Sequence, residues 1–172
     1  MNILVFGGGS IGGHISYCMY ESGNSVTLIG RGEHLRKIKK NGMKIKVYDN
    51  EILKIDALIR EDDRFEALDS VDKTKHLEFD CIFITVKLTD YNERVLSVLK
   101  PYLGENTAII PSCTKMPFWW FYDLKGKYNN IEFDHEIARL FDKKNIIMMT
   151  MWLSAVIEEP GLVLVKHIQR GY

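Results

Sequence analysis

The residues with the clearest chemical potential form a glycine-rich run near the N-terminus, and their spacing is that of a phosphate-binding loop. The run reads Gly7-Gly8-Gly9-Ser10-Ile11-Gly12, which fits G-x-G-x-x-G between a short apolar segment and a helical one. In that pattern Gly7 permits a tight turn, Gly9 leaves room for a pyrophosphate, and Gly12 lets the helix pack closely on the strand. The helix N-terminus would offer N–H groups and its positive dipole end to the phosphates. The alternative is a glycine-rich turn without a ligand.

A basic residue follows the second expected strand, where sites for NAD usually carry an acid. That acid lies about twenty positions after the glycines and binds the ribose 2′-hydroxyl. Here the strand ends in Gly30-Arg31, and the first carboxylate is that of Glu33. An arginine can hold a 2′-phosphate through two hydrogen bonds, with Arg36 or Lys37 assisting. The pattern favours NADP(H) over NAD and counts against FAD and S-adenosylmethionine, unless Arg31 is a solvated loop residue.

These residues need alternating strands and helices to position them, and the hydrophobic periodicity predicts such an order. Buried strands are expected at residues 3–6, 25–29, 81–86 and 107–111, helices at 10–21, 33–41, 91–103 and 118–124, a strand pair within 43–57, and two further strands at 146–157 and 162–168. Residues 60–77 are polar and receive only a weak assignment. The βαβαβ order predicts an α/β fold of the Rossmann type, a doubly wound, mostly parallel sheet with helices on both faces.

Length and composition narrow the class of protein. The chain has 172 residues, with 23 basic and 23 acidic side chains, so its net charge is zero. This length fits one dinucleotide-binding domain spanning residues 1–172. The balanced charge disfavours a nucleic-acid partner, and no apolar run reaches the roughly 20 residues of a membrane span. Cys18, Cys81 and Cys113 lack metal-binding spacing, which indicates buried thiols in a reducing, cytoplasmic environment.

Several further segments resemble the ketopantoate reductase (2-dehydropantoate 2-reductase) family, in its N-terminal NADP-binding domain. They are residues 3–13, 26–35, 80–87, 116–121 and 154–161, so the likeness extends over nearly the whole chain. The glycine run is generic, whereas the strand that ends in Lys87 and the run Ala-Val-Ile-Glu-Glu-Pro-Gly at 155–161 are more specific. The resemblance implies reduction of the ketone of 2-dehydropantoate by NADPH, in pantothenate synthesis.

The resemblance also implies roles for two residues outside the glycine run. Lys87 would lie beside the nicotinamide half of the cofactor and contact cofactor or substrate, and Ala155 would lie close to the cofactor. Independently, a lysine that closes a buried parallel strand sits at the sheet edge where ligands bind. The alternative for Lys87 is a residue that merely ends the strand in solvent.

Two departures from the family bear on catalysis. Thr114-Lys115 stands where the family has Asn-Gly, and the family's asparagine orients substrate and nicotinamide. Thr114, a candidate cofactor-binding residue, offers one hydroxyl instead of a carboxamide. The family also continues into a helical domain that supplies the catalytic lysine and most substrate contacts, and the 172 residues are expected to lack it. The chain alone is therefore expected to bind cofactor and to reduce a 2-keto acid only in traces.

Alternatives from other classes remain open. The chain could be a non-catalytic nucleotide-binding or interaction module that forms a homodimer through the aromatic residues at 118–122, or a shortened form of a full enzyme. His14 could approach a phosphate, but its place in the first helix favours an exposed side chain. His135 and His167 have no partners at catalytic spacing and are expected to be structural.

Overall fold

A computed structural model describes residues 1–112, 140–151 and 153–168, and its strands and helices alternate along the first part of the chain. In chain order the elements are β1 (Asn2–Phe6), α1 (Ser10–Glu21), β2 (Ser25–Ile29), α2 (Gly32–Asn41), β3 (Met43–Asp49), β4 (Ile52–Ile59), β5 (Phe65–Leu68), β6 (Cys81–Ile84), α3 (Glu93–Leu96), β7 (Ala108–Pro111), β8 (Leu153–Glu159) and β9 (Leu162–Ile168).

Five of the strands form the expected parallel sheet, in the order β5-β2-β1-β6-β7. The short apolar runs at β1 and β6 become buried strands because both faces of this sheet are covered. Side chains alternate between two cores: Ile3 and Val5 of β1 lie in one, and Leu4 and Phe6 lie in the other. The α/β fold with a mostly parallel sheet is thus confirmed.

A second sheet, in the order β4-β3-β9-β8, extends the expected architecture. It consists of two antiparallel hairpins, β3–β4 and β8–β9, which join through a parallel pairing of β3 with β9. Asn50 and Glu51 have positive φ in the β3–β4 turn, and Gly161 has positive φ in the β8–β9 turn. The inner face packs into the same core as Ile3 and Val5 through Met43, Ile45, Val47, Val163 and Val165.

Helix α1 lies between the two sheets, which changes the environment of one histidine. A Cβ atom on Gly13 would lie 2.8 Å from Val163 Cγ2 and 3.3 Å from Met43 Sδ, so α1 approaches the second sheet closely. The prediction that His14 is exposed is wrong: only 8% of the residue is accessible. Periodicity assigned this side of the helix to solvent because it gave no sign of a second layer above α1.

Four further assignments differ from the structure. The weakly assigned stretch 60–77 contains β5, which pairs with β2 at the sheet edge. The expected helix at 91–103 is instead the short α3 followed by a 3₁₀ helix, Ser97–Tyr102, which contains Pro101. The strand expected from residue 146 begins at Leu153. Cys81 is buried as expected, but Cys18 is only half-buried.

Among the described residues, no helix has the length and apolarity needed to cross a membrane.

A buried imidazole ties α2 to the second sheet. The Nδ1 atom of His34 accepts a hydrogen bond of 2.9 Å from the backbone N–H of Gly161, in the β8–β9 turn. Accepting at Nδ1 requires a neutral ring with its proton on Nε2, and that atom is buried without a partner among the described residues. Burial lowers the pKa of His34 below its ordinary value of 6.5.

The free energy of unfolding should therefore fall as the solution becomes acidic. Well above pH 6.5 the His34 ring is neutral in both the folded and the unfolded chain. Below pH 6.5 the unfolded chain binds a proton at this ring, whereas the folded chain does so only at a lower pH, because its His34 has the lower pKa. Urea unfolding at pH 7.5 and 5.5 should show a loss on the order of 1 kcal/mol from this residue. His34→Asn, which keeps an acceptor but cannot titrate, should reduce that loss. An unchanged difference between the two pH values in the variant would contradict this assignment.

Candidate functional site

The candidate site lies where the parallel strands end at one edge of the first sheet. After β1 the chain enters the glycine run and α1 and then forms β2 on one side of β1, whereas β6 lies on the other side. The strands that follow β1 in the chain thus lie on opposite sides of it, so the order of strands reverses at β1. In open α/β sheets, ligands bind in the crevice at such a reversal. Gly7 follows β1, Arg31 follows β2, and Lys87 follows β6, so all three lie at this edge.

Hydrogen bonds from both neighbouring strands fix the glycine loop. The backbone N–H groups of Gly7 and Gly8 both donate to the carbonyl of Ile29, at 3.1 and 2.6 Å. From the other side, Thr85 Oγ1 donates to the carbonyl of Gly7 at 2.7 Å. Gly7 has φ of +125°, which side-chain-bearing residues rarely adopt. The loop is therefore held between the ends of β2 and β6 before any ligand arrives.

Gly12 allows the close packing expected of the third glycine in the pattern. A Cβ atom there would collide with the carbonyl oxygen of Gly7 and would lie 2.7 Å from Thr85 Oγ1. Because the obstacle at Gly7 is backbone, it cannot move aside as a flexible side chain could. The start of α1 can approach the ends of β1 and β6 only with glycine at this position.

Gly9, in contrast, faces open space. A Cβ atom on Gly9 would have no described heavy atom within 4 Å. The first helical hydrogen bond of α1 runs from the Gly13 N–H to the Gly9 carbonyl at 2.8 Å, so the amides of Ser10, Ile11 and Gly12 precede it and have no acceptor within the helix. No acidic side chain occupies this first turn. Open space beside free amides at a helix N-terminus suits an anion.

A hydrogen bond joins the second sheet to the residue that follows the three consecutive glycines. Ser10 Oγ donates to the carbonyl of Ala155, in β8, at 3.0 Å. This contact places Ala155 beside the glycine loop, although the two residues are 145 positions apart in the chain.

Arg31 lies at the end of β2 with its side chain 91% exposed. It occupies the N-cap position of α2, where the backbone is extended. Its Nη2 atom is 3.8 Å from Oδ2 of Asp90, which follows β6. Arg36, expected to assist Arg31, instead forms an ion pair with Glu33, and its Nε donates to that carboxylate at 2.8 Å.

Lys87 is exposed just beyond the end of β6. Its carbonyl accepts the N–H of Asp90 at 2.8 Å, which begins the turn after the strand. Behind this turn, the buried Tyr91 donates its hydroxyl to the carbonyl of Ile84 at 2.7 Å and so anchors the strand end. Thr114, Lys115, the aromatic residues at 118–122, Cys113 and His135 lie outside the described residues.

Sequence reasoning missed three residues that shape this site. A hydroxyl at the end of a buried strand was a usable signal for Thr85, because it needs an acceptor when partly buried. Gly13 was passed over because the G-x-G-x-x-G pattern does not include it. Asp90 had no local signal at all, since it meets Arg31 only through the folding of the sheet.

The parallel sheet, its order of strands and the glycine loop at the reversal point define an α/β domain of the Rossmann type. A family model described as "Ketopantoate reductase PanE/ApbA" matches residues 3–112, which is more than half of the chain. The chain belongs to the ketopantoate reductase family.

One sequence relative and two solved structures of the same fold are similar to most of this chain. A 2-dehydropantoate 2-reductase of Mesorhizobium japonicum is 23% identical over 176 residues, covering 98% of this chain and 49% of the relative. The solved 2-dehydropantoate 2-reductase of Porphyromonas gingivalis is 22% identical with a TM-score of 0.68, over 99% of this chain and 52% of its own. A D-mandelate dehydrogenase solved with NADH and anilino(oxo)acetate gives 20% identity and a TM-score of 0.67, over 96% of this chain and 45% of its own. The chain spans about half the length of these proteins.

The contrast between Gly12 and Gly9 gives a test of the loop geometry. Gly12→Ala should lower the free energy of unfolding by about 1–3 kcal/mol, because its Cβ overlaps the Gly7 carbonyl. Gly9→Ala should change it by less than about 0.5 kcal/mol, because its Cβ enters open space. Urea denaturation of both variants beside the parent chain measures the difference. Equal stability losses would contradict the described approach of α1 to β1.

Proposed function

We propose that this chain is the NADP(H)-binding part of a reductase that acts on a 2-keto acid, with 2-dehydropantoate as the first substrate to test. The observation that carries the proposal is the space at Gly9, open among the described residues, beside first amides of α1 that have no acceptor within the helix, with Arg31 at the end of the neighbouring strand. Membership of a reductase family favours this function over a non-catalytic interaction module.

The residues of the loop fit a dinucleotide. The pyrophosphate would lie against the amides of Ser10, Ile11 and Gly12, over the surface that Gly9 leaves free. The loop should lose little conformational entropy on binding a pyrophosphate, because hydrogen bonds with Ile29 and Thr85 already fix the backbone at Gly7. The described geometry therefore supports a preorganised phosphate site.

The charge at the end of β2 supports NADP(H) in preference to NAD(H). Arg31 is exposed and follows the strand whose end faces the adenosine ribose in such sites. Glu33, the nearest acid along the chain, pairs through its carboxylate with Arg36 and not with Arg31. A guanidinium in this position can hold a 2′-phosphate through two hydrogen bonds.

The opposite half of the crevice, beyond β6, would receive the nicotinamide and the keto acid. Lys87 is an exposed cation at that strand end and would attract the carboxylate of a 2-keto acid or contact the cofactor. When bound, NADPH supplies the hydride for reduction of a ketone. The chain's own part is to bind and orient these groups at adjoining strand ends.

Fluorescence titration with NADPH and NADH tests the binding function, and absorbance of NADPH after addition of 2-dehydropantoate tests turnover. The proposal expects saturable binding of NADPH, whatever the rate of reduction. Absence of binding by either cofactor would overturn it. Turnover of around one per second or faster, lost in Lys87→Ala, would assign Lys87 a direct part in the reaction.

Arg31→Ala should weaken NADPH binding at least about tenfold, because a charge-assisted hydrogen bond contributes on the order of 1.5–3 kcal/mol. NADH lacks the 2′-phosphate and should bind nearly as before. Arg36→Ala is the matched control: it removes the same charge from the same helix region, but its guanidinium is already paired with Glu33. Equal losses for the two cofactors in Arg31→Ala would remove the basis for NADP(H).

Gly9→Val should abolish dinucleotide binding in a chain that still folds. A Cβ atom at Gly9 has no described heavy atom within 4 Å, so the branched side chain would extend into the open space proposed for the pyrophosphate. Circular dichroism should match the parent spectrum, while fluorescence titration should show no saturation with NADPH. Micromolar binding retained by the folded variant would mean that phosphate binds elsewhere.

A further inference from the structure

An acid reaches the end of β2 from a distant part of the chain. The Oδ2 atom of Asp90 lies 3.8 Å from Nη2 of Arg31, and Asp90 is 35% exposed in this pair. Sequence spacing places no carboxylate at this position, because the first acid after β2 is Glu33. In the structure Glu33 pairs with Arg36. A carboxylate from the turn after β6 therefore lies near the end of β2, where sites for NAD carry an acid on the second strand itself.

The topology makes this contact a bridge across the glycine loop. Arg31 follows β2 and Asp90 follows β6, and β1 lies between those two strands in the sheet. The ion pair therefore spans the strand that leads into Gly7, over the region proposed for the adenosine half of the cofactor. A bound dinucleotide must lie beside this pair or separate it.

Backbone hydrogen bonds set the position of Asp90. Its N–H donates to the Lys87 carbonyl at 2.8 Å, and its own carbonyl accepts from the N–H of Asn92 at 3.0 Å. The buried Tyr91 next to it is bonded to the end of β6. The hydrogen-bonded turn after β6 thus fixes the backbone of Asp90 and keeps its carboxylate near Arg31.

We infer that Asp90 is a specificity-determining residue, which competes with the 2′-phosphate of NADP(H) for Arg31 and narrows the preference for NADP(H) over NAD(H). The inference rests on the proposed function of the site. A 2′-phosphate that binds Arg31 must displace the carboxylate of Asp90 from the guanidinium or share the guanidinium with it, so the existing ion pair offsets part of the attraction between Arg31 and the phosphate. NADH brings only a ribose hydroxyl, which a carboxylate can accept as a hydrogen bond.

Asp90→Asn tests this competition, since it keeps the size of the side chain and removes the charge. We expect the dissociation constant for NADPH to fall by about three- to tenfold, because the guanidinium of Arg31 no longer has a competing anion. NADH should bind within about twofold of the parent chain or more weakly. Asp56→Asn is the control: it removes the same charge from the exposed face of β4, the edge strand of the second sheet. That control should leave the ratio of the two constants unchanged.

The double variant Arg31→Ala/Asp90→Asn shows whether Asp90 acts through Arg31. If the two groups compete as inferred, the gain in NADPH affinity from Asp90→Asn should shrink by at least half when Arg31 is absent. A full gain in the absence of Arg31, or a ratio of NADPH to NADH affinity unchanged in Asp90→Asn, would overturn the inference while leaving the proposed function intact. Failure of the parent chain to bind either cofactor would overturn both.

Discussion

The approach of α1 to the ends of β1 and β6 is the constraint on which the candidate site depends. A single missing side chain at Gly12 lets the helix begin against the Gly7 carbonyl and Thr85. The helix axis then points its free amides at the open space beside Gly9, while the loop backbone stays bonded to Ile29 and Thr85. A wider separation would move the amides away from the strand ends, and the start of α1 and Arg31 would no longer lie beside one crevice.

The first half of the fold could be predicted because its signals are local. Strand β1 is followed by Gly7, α1 starts at Ser10, and Gly42 at positive φ ends α2, so adjacent residues indicate each boundary. Strand β5 was missed for the opposite reason. Its four residues include Glu66, whose carboxylate accepts from Thr27 and Thr74, and partners that lie far apart in sequence give no periodicity to read.

The candidate site divides along the same line. The glycines and Arg31 could be named from their spacing, because the chemistry of a phosphate loop requires consecutive backbone groups. The ion pair of Arg31 with Asp90 and the hydrogen bond from Ser10 to Ala155 could not, because each joins residues that are far apart in the chain. Burial of His14 belongs with them, since it depends on a second sheet that only the completed fold brings over α1.

The position of α1 between the two sheets has a consequence for how the protein opens. Val5 of the first sheet, Ile15 of α1 and Val163 of the second sheet belong to one continuous core, so neither sheet can separate without exposing apolar surface of the helix. We therefore expect the two sheets to open as one cooperative unit, with the amide protons of β1 and β9 sharing one opening free energy. A dinucleotide held at the start of α1 would raise that free energy in both sheets alike, through mass action on the folded state.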